Sequence, residues 1–102
     1  MPYIALCDDD PAVDSARLRR QEKAAHFAYI ESILDRLLVA GPISDGPNGE
    51  HQASLFVYAT NEEAEARELL ENDPYFQAGI YGRVRLAAFT PAAGDWLGGT
   101  IW

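Results

Sequence analysis

Cysteine and basic residues are both scarce in this chain of 102 residues. Cys7 is the only cysteine, so no disulfide can form within the chain. Eight Lys and Arg stand against sixteen Asp and Glu, which gives a formal net charge of −8. So acidic a surface repels nucleic-acid phosphates and anionic lipid, and we expect neither partner. No apolar run approaches the roughly 18 residues that a membrane span requires.

We also expect no secretory signal. Met1, Pro2 and Tyr3 lead directly into an apolar run without a basic segment before it. Together with the free thiol, this predicts a reducing, cytoplasmic location. Hydrophobic residues make up 48% of the chain, which excludes a disordered protein. The length corresponds to one domain with a core so small that a partner subunit would help to cover it.

Strand and helix patterns alternate in the order β-α-β-β-α-β. Apolar runs predict strands at 2–7, 37–42, 54–59 and 84–89. Helical spacing predicts helices at 15–36 and 62–71, and turn residues predict a hairpin at 44–50 and a turn at 74–79. Thr60 and Glu63 have the spacing of a capping box. We therefore predict an α+β, ferredoxin-like sandwich over residues 1–91, followed by a glycine-rich tail at 92–102.

The predicted sheet has one face that the two helices cannot cover. Tyr3, Phe56, Tyr58 and Phe89 are expected to supply more apolar strand surface than two helices hide. A second copy that packs sheet to sheet is the simplest cover. The sequence therefore predicts a homodimer.

His26 lies within the apolar stripe of the first predicted helix. At 100° per residue it falls close to Ile33 and Leu37, and Arg19 and Lys23 continue the same stripe towards the N-terminus. A buried face that becomes basic at one end either snorkels at the rim or lines a pocket. His26 is thus either a structural histidine or a proton-transfer group, because imidazole exchanges its proton near neutral pH.

Asp73 lies where the second predicted helix ends, in the sequence Asn72-Asp73-Pro74-Tyr75. One interpretation is an Asx-turn, the usual role of an aspartate before proline. The other is a polar pair with His26, because the two helices of this fold lie side by side. Three further candidates are weaker. The acidic triplet at 8–10 is a solvated turn or a metal loop, although it lacks calcium-loop spacing. Cys7 is predicted to be a packed thiol, and His51 to be solvated.

Short segments of the chain follow the order of a known family from residue 1 to about 91. They are the strand at 3–6, His26 with Tyr29, the segments 38–42, 60–64, 72–75 and 78–81, and the last strand ending in Phe89. On these segments the chain resembles the YciI-like (YCII-related domain) family. The resemblance implies a ferredoxin-like fold paired into a dimeric α+β barrel. It also implies an active site built on a histidine and an aspartate, here His26 and Asp73, and relatives that include a dehydrochlorinase of a chlorinated hydroxyhydroquinone.

The chain departs from that family at one position. An arginine often stands three residues before the histidine, and here Lys23 stands there. Lysine keeps the charge but loses the bidentate geometry of the guanidinium. The usual recognition of a carboxylate at this position is therefore in question.

Three functions remain open from the sequence. The first is a cofactor-free lyase or isomerase that moves a proton on a small cyclic or enolisable organic acid, with His26 and Asp73 as catalytic residues. The second is a non-catalytic metabolite-binding or interaction module of the same fold. The third is a heme or metal enzyme, for which His26 is the one axial ligand on offer. We expect no metal and no cofactor.

A set of six residues is predicted to bind the small organic ligand. Lys23 or Arg19 would meet the developing anion. Gly41 is expected to allow close backbone approach at the pocket edge, and Pro42 to fix the exit of the strand. The remaining members of the set are Tyr3 and Tyr75.

Overall fold

Nine regular elements follow one another in the computed structural model, which describes residues 2–102. They are β1 (Tyr3–Asp9), α1 (Ser15–Ser32), β2 (Leu37–Ser44), β3 (His51–Tyr58), α2 (Glu63–Glu71), α3 (Pro74–Gln77), β4 (Tyr81–Ala88), β5 (Ala93–Gly94) and β6 (Gly99–Thr100). The first four strands form an antiparallel sheet in the order β2-β3-β1-β4. The α+β, ferredoxin-like sandwich predicted from the sequence is confirmed.

The core lies between one face of the sheet and the helices. Cross-strand partners on this face include Ala5 with Phe56 and Tyr3 with Tyr58. Residues directly opposite one another project from the same side of a sheet, so both strands contribute to one layer. The buried cluster comprises Ala5, Cys7, Ile33, Phe56, Tyr58, Ala66 and Leu70, and Tyr29 and Ile30 of α1 pack against it.

The other side of the sheet, which we call the open face, carries a different set of apolar side chains. Successive strand residues alternate between the two sides, so the neighbours of the core residues point outward. The open face comprises Ile4, Leu6, Val39, Ile43, Leu55 and Val57. Val39 and Ile43 are about 40% exposed. The expected surplus of apolar strand surface is thus present, but on residues other than those predicted.

The residues predicted to form that surplus occupy different positions. Tyr3, Phe56 and Tyr58 lie on the side that the helices cover, where Phe56 and Tyr58 are buried. Phe89 follows β4 and is 41% exposed. The prediction was wrong for Tyr3, Phe56 and Tyr58, because a shift of one position in a strand exchanges its two faces.

The first helix begins at Ser15 as predicted but ends earlier than predicted. Asp14 caps α1 by accepting a hydrogen bond from the backbone N–H of Arg17. The helix ends at Ser32, and a 3-10 turn over Leu34–Arg36 replaces its predicted last turn. Ile33 leaves helical geometry there (φ −117°, ψ 17°), so Ile33 is buried while Leu34 is exposed.

The predicted capping box of the second helix is absent. Glu62 is the N-cap residue of α2 and makes no side-chain capping bond. The Thr60 hydroxyl accepts a hydrogen bond from the Glu62 N–H and donates one to Glu65. Ala64 is exposed on α2, whereas Ala66 is buried. The predicted turn at 74–79 contains the short helix α3.

The tail forms a ribbon of its own. β5 pairs with β6 through Ala93 with Thr100 and Gly94 with Gly99. Trp96 and Trp102 are both more than 80% exposed. In the described part of the chain, no helix combines the length and apolarity needed to cross a membrane.

Cys7 makes the stability of this fold sensitive to alkali. Its side chain is fully buried, and burial followed by the nearby Asp73 charge raises the pKa of the thiol from 9.0 to about 12. The thiol therefore stabilises the fold below pH 9, and this contribution is lost as pH rises towards 12, at about 1.4 kcal/mol per pH unit. We predict that the unfolding free energy of Cys7→Ala, measured in urea across this range, falls less steeply than that of the wild type. Equal slopes would contradict the assignment.

Candidate active site

A cleft opens between α1 and the strands β2 and β3, with a volume of about 550 Å³. Its walls combine apolar side chains with basic ones. The lining residues are Ala16, Arg19, Arg20, Lys23, His26, Phe27, Ile30, Ala40, Gly41, Pro42, Gly49, Glu50, His51, Ser54, Phe56 and Tyr75. A concave, mainly apolar cavity with a few polar groups is typical of a site for a small molecule.

The structure brings His26 and Asp73 into direct contact. The His26 Nδ1 lies 2.7 Å from Asp73 Oδ1. Because an ionised carboxylate can only accept, Nδ1 carries the proton of this bond. Asp73 is 1% exposed, and His26 lines the cleft. No other described residue bonds to the ring, so Nε2 is the nitrogen left for a ligand.

Tyr75 holds both members of this pair. Its backbone N–H donates to Asp73 Oδ1 at 2.9 Å, because Asp73 is the N-cap residue of α3. Its ring stacks on the His26 imidazole, with centroids 3.7 Å apart and planes within 4°. Its hydroxyl donates to the backbone oxygen of Arg19 at 3.2 Å. The Asp-Pro-Tyr turn therefore fixes the carboxylate and the imidazole together.

The second oxygen of Asp73 lies in a closed environment. Oδ2 is buried, and no described residue donates to it. Burial, and then the Asp73 charge, raise the pKa values of Tyr29 and Tyr58. Burial is also the main cause that raises the pKa of Tyr81. These hydroxyls stay protonated at physiological pH, so His26 is the side chain of this group suited to accept a proton.

Arg19 and Asp9 form a second buried polar pair beneath the cleft. The Arg19 Nε and Nη2 lie 3.0 and 2.7 Å from the two Asp9 oxygens. Nη2 also donates to Ser54 Oγ at 3.2 Å, and Ser54 Oγ accepts the hydroxyl of Tyr81. Asp9 therefore belongs to β1 and to an ion pair, not to the solvated turn or metal loop considered for residues 8–10.

Basic side chains dominate the rim of the cleft. Lys23 and Arg20 are exposed, and neither forms an ion pair with another described residue. The Lys23 ammonium lies 5.6 Å from the ring centre of Phe27. His51, predicted to be solvated, is exposed but lies at the start of β3 and lines the cleft. Glu50 is the one acidic residue among the described lining residues.

The predicted ligand-binding residues divide into two groups. Arg19, Lys23, Gly41, Pro42 and Tyr75 line the cleft, as His26 does. Tyr3 does not, because it packs against the core opposite Tyr58. An added Cβ at Gly41 would meet no protein atom within 4 Å, so no other described part of the chain approaches this backbone closely, and the approach of a ligand there stays a prediction.

Several residues that line the cleft were not predicted to do so from the sequence. The most important are Arg20, Phe27, Ile30, His51 and Ser54. Arg20 and Phe27 are seven positions apart on α1, a helical spacing that would have placed them together. Ser54 shares a face with Phe56, two positions along β3. The described residues contain no group of three or more His, Cys, Asp or Glu placed to hold a metal ion.

Comparison with known proteins identifies the family. The sequence model of the YCII-related domain matches residues 1–90. The chain belongs to the YCII-related domain family. No curated protein sequence gave a significant match to this YCII-domain protein.

Solved structures include a close relative in shape. One is the 5-chloro-2-hydroxyhydroquinone dehydrochlorinase from Burkholderia phenoliruptrix AC1100, in complex with 2,5-dihydroxybenzoquinone. It has a TM-score of 0.78 and 24% identity, with 94% of the YCII-domain chain and 98% of the dehydrochlorinase chain covered. This likeness shows that the two proteins share a fold.

The stacking of Tyr75 on His26 predicts different outcomes for two variants. Tyr75→Phe keeps the ring and loses the bond to the Arg19 carbonyl, so we expect a cost of about 1 kcal/mol in urea unfolding. Tyr75→Leu also loses the aromatic contact, and we expect it to cost more, about 2–3 kcal/mol. The His26 ring protons should keep their ring-current shifts in Tyr75→Phe and lose them in Tyr75→Leu. Unchanged histidine shifts in both variants would contradict the stacked geometry.

Proposed function

We propose that this YCII-domain protein is a cofactor-free enzyme of the lyase or isomerase type. Its substrate is a small cyclic or enolisable organic acid, and its central step is a proton transfer by His26. The observation that carries the proposal is the 2.7 Å contact between His26 Nδ1 and Asp73 Oδ1 at the wall of the cleft. A carboxylate on one ring nitrogen leaves the other as the base.

The proposed step begins with the neutral imidazole. Nε2 accepts a proton from a carbon or oxygen of the substrate, and the resulting imidazolium is stabilised by the Asp73 carboxylate. In an elimination, the electrons of the broken C–H bond form a new double bond as the leaving group departs with its own pair. In an isomerisation, the same proton returns to another atom of the substrate.

The walls of the cleft support this chemistry in two ways. Phe27, Ile30 and Phe56 provide apolar surface for a ring. Arg19, Arg20 and Lys23 provide positive charge where an anion would develop. The dehydrochlorinase of the same fold, whose structure holds 2,5-dihydroxybenzoquinone, directs the search towards hydroxylated rings. Its reaction is accordingly the first to try on this chain.

The test is turnover of a panel of hydroxylated rings and lactones. Release of chloride from 5-chloro-2-hydroxyhydroquinone and absorbance changes of the other compounds provide the measurements. We expect His26→Asn to lower kcat at least ~100-fold, which is typical for loss of a general base. Circular dichroism and urea unfolding should show that this variant still folds.

A matched control is available on the same helix. Glu31 is exposed on α1 and does not line the cleft, so Glu31→Gln should keep the wild-type rate. Turnover that survives His26→Asn would contradict the proposal. Binding of ring compounds without turnover of any member of the panel would favour the alternative, a non-catalytic metabolite-binding module of this fold. The expected cytoplasmic location stays a prediction.

We also propose that the protein works as a homodimer, in a dimeric α+β barrel. The open face supports this, because it carries a row of apolar side chains on the side of the sheet away from the helices, of which Val39 and Ile43 are about 40% exposed. A chain of this size buries a modest fraction of its surface alone, so a second copy stabilises it. Packing of two open faces would place the two clefts on opposite sides of the pair.

Light scattering at micromolar concentration tests the dimer. We expect the wild type to have the mass of two chains. Val39→Glu and Leu55→Glu place a charge in the open face and should shift the mass towards one chain. Leu34→Glu is the control, because Leu34 is 61% exposed and lies outside the open face. A wild-type monomer, or dimers in all three variants, would contradict the proposal.

A further inference from the structure

Basic side chains are concentrated in the cleft of an acidic molecule, where the charge of Arg19 is paired with Asp9 and those of Arg20 and Lys23 are unpaired among the described residues. The chain has a formal net charge of −8, yet three of its eight Lys and Arg line the cleft. Glu50 is the single acid among the described lining residues. Clefts lined by one sign of charge concentrate ligands of the opposite sign. An anionic ligand is therefore attracted to this part of the surface and repelled by most of the rest.

Arg19 is the cation of this cleft with a fixed position. Asp9 accepts from Nε and Nη2, and Nη2 also reaches Ser54 Oγ and, at 3.4 Å, the Ala53 carbonyl oxygen. No described residue accepts a hydrogen bond from Nη1. The side chain is 10% exposed and lines the cleft. The two N–H donors of Nη1 therefore have no described acceptor, on a side chain that lines the cleft and whose orientation is set by the partners of the other two nitrogens.

We propose that Arg19 Nη1 is the receptor for an anionic oxygen of the ligand. The inference rests on the proposed function, because it assigns a substrate class to the same cleft. That class is a small, flat ring with an oxyanion substituent, an enolate or a carboxylate, in addition to the position at which His26 acts. Nη1 binds the oxyanion in substrate and product alike, while Nε2 of His26 moves the proton.

Arg19 is better placed for this role than the other cations. Lys23 and Arg20 are exposed, so water and salt screen their charges and their side chains must be ordered on binding. Arg19 is buried and already ordered. Burial lowers the pKa of the Arg19 guanidinium. The hydrogen bonds and the charge of Asp9 raise this pKa by more, so that it is raised overall. Arg19 therefore determines specificity, and the exposed cations contribute mainly to the rate of association.

Tyr75 links the anion receptor to the proton-transfer group. The Arg19 guanidinium lies 5.5 Å from the centre of the Tyr75 ring, and the Tyr75 hydroxyl donates to the Arg19 backbone. The same ring stacks on His26. The two anchoring groups are therefore held at a fixed separation by one aromatic side chain. A ligand must match that separation, which favours a rigid ring over a flexible chain.

Calorimetric titration with two probes tests the inference. The first probe is 2,5-dihydroxybenzoquinone, which is an anion at neutral pH, and the second is hydroquinone, which is neutral. We expect the wild type to bind the anion more tightly. Arg19→Lys should weaken anion binding at least about tenfold, the effect of losing a charge-assisted hydrogen bond. The same variant should bind hydroquinone as the wild type does, and Lys23→Gln should have a smaller effect on the anion.

A second variant keeps the test informative if Arg19→Lys fails to fold. The double variant Asp9→Asn with Arg19→Gln removes both charges of the buried pair, so no unpaired charge stays buried. It should fold and should also lose the preference for the anion. Anion binding within about twofold of the wild type in Arg19→Lys and in this double variant would overturn the inference. A wild type that binds hydroquinone as tightly as the anion would also overturn it.

The same measurements separate this inference from the proposed function. His26→Asn should lose turnover and still prefer the anion to hydroquinone, because Arg19 is unchanged in this variant. If turnover does not depend on His26 but Arg19→Lys weakens anion binding, the proposed function fails and the anion receptor stands. If turnover depends on His26 and anion binding does not depend on Arg19, the receptor fails and the proposed function stands.

Discussion

A buried carboxylate must find donors, and in this fold the Asp73 carboxylate finds them on two elements. Oδ1 accepts from His26 on α1 and from the backbone of Tyr75 in α3. One oxygen atom thus joins the long helix to the turn that follows α2. Removing either donor would leave buried charge undercompensated, which costs more than the bond itself contributes. The orientation of the imidazole, and with it the chemistry of the cleft, depends on this oxygen.

The second polar pair extends the same arrangement to the floor of the cleft. Asp9 and Arg19 join β1 to α1, and Tyr75 contacts both Arg19 and His26. The free energy of unfolding of a small domain is low, and buried charges tend to lower it further. This domain nevertheless retains two buried polar pairs beside a single cavity. Apolar residues of similar volume would often stabilise a core at least as well. The cost is understandable if the pairs hold reactive groups in place, which is what the proposed function requires.

The order of elements and the inward position of His26 could be predicted from local patterns, because helix and strand periods are properties of neighbouring residues. Asp73 could be placed near His26 because the fold sets its two helices side by side. The ion pair of Asp9 with Arg19 was not predicted, because residues 8–10 were assigned to a turn. β1 instead extends to Asp9, and strand alternation places its side chain on the same covered face as Ala5 and Cys7. The prediction placed Tyr3, Phe56 and Tyr58 on the wrong face of the sheet. The apolar runs in these strands do not alternate with polar residues, so the sequence does not show which positions face the helices.

The tautomer of His26 is the most direct test of the central claim, that Asp73 makes Nε2 the basic nitrogen. Long-range ¹H–¹⁵N correlation spectra of the histidines report which ring nitrogen carries the proton. At a pH where the imidazole is neutral, we predict that Nδ1 of His26 shows the shift of a protonated nitrogen and Nε2 that of an unprotonated one. The exposed His51 provides the reference for a histidine without a carboxylate partner. A neutral His26 protonated at Nε2 would contradict the account.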